Sequence, residues 1–342
     1  MRPHCEDMAI AVSSDGLPQP LFDRKTGEPV VLWGEDMFPH VKLRSHNHYY
    51  PSPEMHVAAA EALAGPVASL LAAPAAVRAA SQPARRREVL AHIHIFKNAG
   101  TSLDELFHRS FGTAFKAVDP EHEADVWSEE ELLEVVRADP RLLCISSHQI
   151  RQPLIGDSRI KILPYFLIRH PISRLKSVYE YLRQQAQPDR ISEMAQTLAF
   201  KTFVQTCQGF PNTERLVRNF QTGVLGRSGA LEEQRRDRRW EWHQPVGEEH
   251  LLEALKFMES VPTVGVVERL EDSVAALCAA YALRFPQLGK HVFHANRSQE
   301  FKPLPEQLDE IREEVGAEFY DRLLQQNAMD LALWDAANRR LP

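Results

Sequence analysis

The stretch from Ala91 to Leu103 constrains the fold of this chain more than any other. It reads AHIHIFKNAGTSL, in which Ile93 and Ile95 alternate with histidines at the spacing of a half-buried strand. Gly100 permits a sharp turn, and apolar residues then return at helical spacing from Leu103 onward. The stretch therefore predicts a strand over 92–96, a tight turn and the start of a helix.

A helix that starts at this point is suited to binding an anion. The first turn of a helix has unpaired N–H groups and a partial positive charge, and both attract phosphate or sulfate. Lys97 adds a full positive charge, Thr101 and Ser102 add hydroxyl donors, and we expect the amides of residues 99–103 to contribute. The order differs from the nucleotide P-loop, because there the lysine follows the glycines.

A second candidate anion site follows another short apolar run. Residues Tyr165–Ile168 predict a strand, Arg169 follows it directly, and Pro171 is suited to the first turn of the next helix. Arg169 can bind phosphate oxygens through its planar guanidinium, and Ser177 lies further along that helix. The two anion sites therefore come in order, each after a strand.

The order of Lys97, Gly100, Thr101 and Ser102 resembles the 5′-phosphosulfate loop of sulfotransferases that use 3′-phosphoadenosine-5′-phosphosulfate (PAPS). Arg169 and Ser177 resemble the 3′-phosphate pair of that family. The resemblance covers about residues 88–340, is nearest to the carbohydrate branch of the heparan uronosyl type, and includes segments 219–226, 264–270 and 294–298. Two positions depart from the family pattern: Phe96, where proline is usual, and His170, where aspartate or asparagine is common.

The resemblance implies an α/β fold, a three-layer P-loop-like parallel sheet flanked by helices. It implies a sulfotransferase domain over 88–342, with residues 1–87 as an N-terminal extension of open role. The implied reaction is in-line transfer of a sulfuryl group from PAPS to a hydroxyl of a carbohydrate or glycan-like acceptor, without a metal. Lys97 is the implied catalytic cation, and the implied donor-binding residues are Lys97, Asn98, Ala99, Gly100, Thr101, Ser102, Arg169, Ser177 and Arg297.

His148 is the candidate general base. It follows an apolar run, 142–145, that predicts a strand, and ligands of open parallel sheets bind beyond the carboxyl ends of strands. A neutral histidine accepts protons near pH 7. The heparan uronosyl-type enzymes place a catalytic histidine after the corresponding strand, which Ser147-His148 resembles. Glu105 and Glu180 remain the alternative bases, because some members use a carboxylate.

Composition limits the class of protein. The chain has 342 residues, of which 44% are hydrophobic and 25% charged, and these fractions are typical of soluble globular proteins. Its net charge of -7 argues against a general nucleic-acid binder. Four widely spaced cysteines suit a reducing compartment. The start shows no signal peptide, and the alanine-rich stretch 56–77 falls short of a spanning helix. We therefore expect a cytoplasmic enzyme without an integral membrane segment, and a bacterial one because Golgi relatives normally carry an anchor.

Several alternatives stay open. A kinase with an atypical phosphate loop and a non-catalytic nucleotide- or anion-binding protein are the competing classes. The acceptor could be a glycan, a lipid-linked sugar, a polyketide hydroxyl or a peptide tyrosine, and the oligomeric state is open. The histidines of 40–56 match no standard zinc spacing, and the basic-aromatic patch at 227–242 favours a solvated helix face over a sugar-binding one.

The pattern from Glu88 alternates strands with helices, which predicts a parallel sheet with covering helices. A fourth strand is predicted at 263–267. The predicted helices begin at 102 and 171 and span 129–138, 200–208, 213–220, 248–259, 271–283 and, as one long or broken helix, 305–340.

Overall fold

The computed structural model describes residues 86–120, 126–154, 156–226, 246–288 and 302–342, together with two short N-terminal strands. The chain divides into two compact units, 1–85 and 86–342. In the first unit β1 (Met8–Ala9) pairs antiparallel with β2 (Phe22–Asp23). The histidines of 40–56, the alanine-rich stretch, the basic-aromatic patch and Arg297 lie outside the described residues.

The second unit is built on a parallel sheet. Its four strands lie in the order β4-β5-β3-β6, and every neighbouring pair is parallel. A short strand, β7, continues beyond β6 after one residue and pairs in parallel with β8. The carboxyl ends of β3, β5 and β7 therefore lead into three loops on one side of the sheet. The bounds are β3 Arg87–Ile93, β4 Phe115–Ala117, β5 Cys144–Ser147, β6 Ile160–Tyr165, β7 Leu167–Ile168 and β8 Gly265–Val266.

Twelve α-helices are described in the second unit. They are α1 Gly100–Phe111, α2 Glu129–Ala138, α3 Pro171–Arg183, α4 Arg190–Thr197, α5 Phe200–Gln208, α6 Pro211–Val217, α7 Phe220–Leu225, α8 Glu248–Ser260, α9 Leu270–Tyr281, α10 Leu304–Val315, α11 Ala317–Gln326 and α12 Ala328–Arg340.

Helices cover both faces of the sheet. Val89, Ala91 and Ile93 of β3 belong to one buried cluster with α2, α8 and α12. Leu90, which points to the opposite face because side chains alternate along a strand, packs with α1 and α9. A third cluster holds α3, α5, α10 and α11 together. The predicted α/β fold, a parallel sheet between two layers of helices, is confirmed.

Several element bounds differ from those predicted. β3 ends at Ile93 and not at residue 96, because the chain turns there and the Ile95 amide donates to the Ile93 carbonyl at 3.0 Å. β6 begins at Ile160, five residues before the predicted strand, since Lys161 and Pro164 obscure its apolar pattern. The domain boundary predicted between residues 87 and 88 falls within β3.

Two helical regions also differ from the prediction. The sequence does not predict helix α4, because its segment is mostly polar. The C-terminal helix is three helices, which meet at Gly316, with φ of 83°, and at Asn327. Helices α2 and α5 have the predicted bounds. Among the residues that the structure describes, no helix combines the length and apolar character needed to cross a membrane.

Candidate functional site

The loop between β3 and α1 has an unusual backbone. Lys97 and Ala99 have positive φ angles of 64° and 56°, a conformation that residues with a Cβ adopt only at a cost. The Asn98 amide donates to the Ile95 carbonyl at 3.0 Å and closes the turn. Ala99 is the N-cap of α1, and no side chain caps this helix. The first turn of α1 therefore begins without a side-chain cap for its amides.

The set of amides that could hold an anion is smaller than predicted. The amides of Ser102 and Leu103 donate to the Ala99 carbonyl at 3.1 and 3.3 Å, so they serve the helix itself. The amides of residues 99–101 precede the first intrahelical bonds and remain for a ligand. Thr101 is exposed and Ser102 partly exposed, so both hydroxyls can reach that position.

Asn98 ties this loop to the strand that carries Arg169. Its side chain is buried, and Nδ2 donates to the Leu167 carbonyl and to Gln221 Oε1, both at 2.7 Å. Gln221 Oε1 also accepts from the Arg169 amide at 2.9 Å, while its Nε2 donates to the Arg169 carbonyl at 2.8 Å. Asp330 accepts from the Gln221 amide at 3.1 Å. Asn98 therefore acts as a buried structural link between the two predicted anion sites.

Arg169 lies directly after β7, as predicted, and joins the two loops. Its Nη1 donates to the Lys97 carbonyl at 3.0 Å and its Nε to Ser173 Oγ at 3.2 Å. Burial lowers the pKa of Arg169, and the charges of Glu268 and Glu180 oppose that effect. Ser177 is partly buried on α3, one helical turn beyond Ser173, and so lies on the same face of the helix.

Lys97 lies close to a second positive charge. Burial lowers the pKa of Lys97, nearby Arg169 lowers it further, and Glu180 opposes both. Its Nζ lies 4.3 Å from the centre of the Tyr181 ring, and Phe96 packs edge-to-face on Tyr181 at 5.5 Å. A lysine whose pKa is lowered by a neighbouring arginine is stabilised in its charged form when an anion binds between the two cations. The pair therefore favours a negatively charged ligand.

His148 follows β5 directly. Its Nδ1 lies 2.8 Å from the His94 carbonyl, and because a carbonyl only accepts, Nδ1 carries the proton and Nε2 is free in the neutral ring. Burial lowers the pKa of His148, and His94 lowers it further; its bond to the His94 carbonyl, Asp119 and Asp104 oppose this. The ring is partly exposed. It can therefore accept a proton at Nε2 near neutral pH.

The two alternative bases lie in different surroundings. Glu105 lies on α1, where it is partly exposed and pairs with Arg109 one turn away. Glu180 is exposed on α3 and interacts electrostatically with both Lys97 and Arg169. Glu180 is therefore the alternative that the structure brings beside the two cations.

His170, one of the two departures from the sulfotransferase pattern, packs against α12. Burial lowers its pKa to about 4, with a further contribution from Arg169, so the ring is neutral at pH 7. The ring packs edge-to-face on Trp334 at 5.1 Å, and its amide donates to Glu268 Oε1 at 2.9 Å. Trp334 Nε1 donates to the other oxygen of Glu268 at 3.0 Å. His170 therefore packs between α12 and the end of β7.

Sequence reasoning missed one group of side chains near His148. His92, His94 and Asp104 present nitrogen and oxygen atoms that all lie within 4.8 Å of one another, close enough to hold a metal ion. His92 Nδ1 lies 2.9 Å from Asp104 Oδ1, and His94 Nδ1 lies 3.2 Å from Asp104 Oδ2. The only sequence signal was an acidic residue in the first turns of a helix. Gln221 was also missed, although it belongs to the segment 219–226.

Comparison with known proteins finds an archaeal relative of this chain. No family model matches the chain. The chain is 30% identical over 258 residues to an uncharacterized protein of Archaeoglobus fulgidus, an alignment that covers 73% of this chain and 95% of the archaeal protein. At that identity and coverage, the chain belongs to the same family as this archaeal protein.

Proposed function

We propose that this protein is a PAPS-dependent sulfotransferase that transfers a sulfuryl group to a hydroxyl acceptor. The observation that carries the proposal is the link between two cationic loops through the bond from Arg169 to the Lys97 carbonyl. One loop has the uncapped start of α1, and the other has Arg169 with Ser173 and Ser177 on the following helix. PAPS carries anionic groups at both its 5′ and 3′ positions, so two joined cationic loops suit it.

Each donor group has a role in this proposal. The amides of residues 99–101, with the hydroxyls of Thr101 and Ser102, bind the 5′-phosphate. Arg169 and Ser177 bind the 3′-phosphate. Asn98 holds the two loops together through its hydrogen bond to Gln221. Lys97 stabilises the negative charge that develops on the leaving phosphate, which is the largest electrostatic need of the reaction.

The transfer step needs one base. His148 Nε2 takes the proton of the acceptor hydroxyl as the new bond forms between that oxygen and sulfur. The bond between sulfur and the phosphate oxygen breaks, and adenosine 3′,5′-bisphosphate leaves with the electron pair. His148 then releases its proton to solvent. Holding both reactants in line lowers the entropic part of the barrier.

The acceptor in this proposal is a carbohydrate or similar hydroxyl-bearing molecule, and the reaction takes place in the cytoplasm. The sulfotransferase resemblance supports the acceptor class. The three described cysteines, Cys144, Cys207 and Cys278, are free thiols, which suits a reducing compartment.

Transfer of labelled sulfate tests this proposal. The protein is incubated with PAPS labelled in its sulfuryl group and a cell extract, and products that have gained SO3 are identified by mass spectrometry. We expect labelled product with the wild type and a loss of about 100- to 10,000-fold in rate with His148→Ala. Parallel incubation with ATP labelled in its γ-phosphate tests the kinase alternative.

Two results would contradict the proposal. Phosphorylated product from ATP, with no sulfated product from PAPS, would support a kinase with an atypical phosphate loop. Tight binding of adenosine 3′,5′-bisphosphate with no transfer to any component of the extract would support a non-catalytic binding protein.

A further inference from the structure

Asp104 is a charged residue close to the proposed base, His148, and it has no part in the proposed donor site. Asp104 belongs to the second turn of α1, and its two oxygens lie against His92 and His94. Burial raises the pKa of Asp104, but hydrogen bonds from His92, His94 and Ser146 outweigh this and hold it well below the usual range. The carboxylate is therefore ionised throughout the neutral pH range, and it is partly buried and accepts from three donors.

The ring geometry favours hydrogen bonds over a shared metal ion. The His92 and His94 rings are stacked, with centres 5.2 Å apart and planes inclined by 18°. Imidazole binds a metal in the plane of its ring at about 2.0–2.1 Å, and two stacked, nearly parallel planes do not converge on one ion at that range. A carboxylate instead offers a separate oxygen to each Nδ1–H. His92 and His94 thus donate to two oxygens of Asp104.

His94 connects this carboxylate to the base. The His94 and His148 ring centres are 3.9 Å apart, and the His94 carbonyl accepts from His148 Nδ1. The amide of His94 donates to the Ser147 carbonyl at 3.0 Å, next to His148 in the chain. A Cβ added at Gly100 would lie only 2.0 Å from the His94 ring. His94 is therefore fixed between Asp104, Gly100 and His148.

The charges that face His148 come from several elements. Asp104 on α1 and Asp119 after β4 both favour a positively charged His148, and His94 disfavours it. Arg151 also approaches from the following loop, where Nη1 donates to the His148 carbonyl at 2.6 Å. Among the described groups, the two aspartates are thus the ones that offset the positive charge of a protonated His148.

We propose that Asp104 is a positioning residue for the reaction: it fixes His94, and through it the orientation of His148, and its charge stabilises the imidazolium that forms there. This inference rests on the proposed function, because the imidazolium arises when His148 accepts the acceptor proton. The proton moves from the acceptor oxygen to His148 Nε2, while Nδ1–H keeps its bond to the His94 carbonyl. Asp104 itself stays ionised and exchanges no proton.

The test compares Asp104→Asn and Asp104→Glu with the wild type. Three quantities are measured: the titration of His148 by NMR, kcat against pH with PAPS, and the affinity for adenosine 3′,5′-bisphosphate. Glu318→Gln is the matched control, since it removes one carboxylate from the exposed outer side of α11.

We expect Asp104→Asn to lower the pKa of His148 by about half a unit or more, since a nearby negative charge is lost. Its kcat falls by about 10-fold or more, because His148 becomes a weaker and less fixed base. Affinity for adenosine 3′,5′-bisphosphate changes less than about threefold, well under the change that loss of a charged contact causes. Asp104→Glu recovers part of kcat, and Glu318→Gln behaves as the wild type.

Several results would overturn the inference. Unchanged His148 titration and kcat in Asp104→Asn would do so, and equal losses of kcat and donor affinity would make Asp104 part of the donor site. If the wild type binds a stoichiometric metal ion and Asp104→Asn does not, the group of His92, His94 and Asp104 is a metal centre and not a set of hydrogen bonds. If Asp104→Asn does not fold, His94→Phe keeps the ring packing and removes the link, and it must lower kcat without weakening nucleotide binding.

The titration separates this inference from the proposed function. If the protein transfers no sulfuryl group but the pKa of His148 falls in Asp104→Asn, the proposed effect of Asp104 on His148 is supported and the sulfotransferase proposal is wrong. If transfer proceeds and neither kcat nor the pKa of His148 changes in Asp104→Asn, the proposed role of Asp104 is wrong and the sulfotransferase proposal is supported.

Discussion

Arg169 donates a hydrogen bond of 3.0 Å from Nη1 to the backbone carbonyl of Lys97. The two residues are 72 positions apart in sequence, and they follow two different strands, β3 and β7. Because the bond uses the Lys97 backbone, the lysine ammonium stays available for a ligand. The arginine also keeps Nη2 for the same purpose, so one ligand can contact both side chains.

Gln221→Ala tests the buried link between the two loops. The change removes the bonds from Asn98 Nδ2 and the Arg169 amide and leaves both donors buried. We expect the free energy of unfolding to fall by about 2 kcal/mol or more, since buried unpaired groups cost 1–3 kcal/mol each. Urea denaturation measures this change. Gln196→Ala is the control, because it removes one exposed side-chain hydrogen bond. It should lower the free energy of unfolding by less than about 0.5 kcal/mol. Equal small losses in both variants would show that Gln221 is not a structural link.

Gly100→Ala tests the close approach of His94 to α1. The added Cβ would lie 2.0 Å from the His94 ring, so the ring or the helix must move. We expect a loss of about 1–3 kcal/mol in stability, as for other overpacked sites, together with reduced turnover because His148 loses its fixed neighbour. Gly209→Ala is the control: its φ is -77° and the nearest contact of the added Cβ is 3.3 Å away. A Gly100→Ala protein as stable as Gly209→Ala would argue against a fixed His94.

The sequence predicted the fold more fully than the site. The strands predicted at 92–96 and 165–168, each followed by a helix, are enough to predict a parallel sheet with covering helices. Lys97, His148 and Arg169 are each predicted after a strand. His148 and Arg169 directly follow β5 and β7, whereas Lys97 lies four residues after the end of β3. Their assignment to a sulfotransferase site stays a prediction.

The remaining features depend on contacts between distant residues. Asp104 meets His92 and His94 only because α1 packs back over β3, and periodicity gives no sign of that pairing. Gln221 reaches Asn98 across 123 positions of sequence. The early end of β3 follows from a local turn at Ile95 that an alternating apolar pattern hides.

The pH dependence of kcat tests His148 as the base. Burial and His94 lower the pKa of His148 from the ordinary 6.5, and only the neutral ring accepts a proton. Activity should therefore rise with pH, and the midpoint of this acidic limb should lie below 6.5. His148→Ala should lack the limb and retain nucleotide binding. A limb with its midpoint above pH 7, or one unchanged in His148→Ala, would assign the base to a group other than His148.

Treatment with EDTA tests the expectation that no metal takes part. The proposed charge on the donor comes from Lys97 and Arg169, and the group of His92, His94 and Asp104 has the geometry of hydrogen bonds. We expect the rate of transfer from PAPS to stay within about twofold of the untreated rate, because no metal supplies charge in this mechanism. A large loss that Mg²⁺ or Zn²⁺ restores would contradict the mechanism.

Calorimetric titration of Arg169→Ala and wild type with two nucleotides tests the central claim most directly. Adenosine 3′,5′-bisphosphate carries the 3′-phosphate and adenosine 5′-monophosphate lacks it, so the pair isolates that one group. We predict that Arg169→Ala weakens the bisphosphate by about 2 kcal/mol, roughly 30-fold, and changes the monophosphate far less. Equal affinities of the two proteins for the bisphosphate, or tighter binding of ATP than of the bisphosphate by the wild type, would contradict the account.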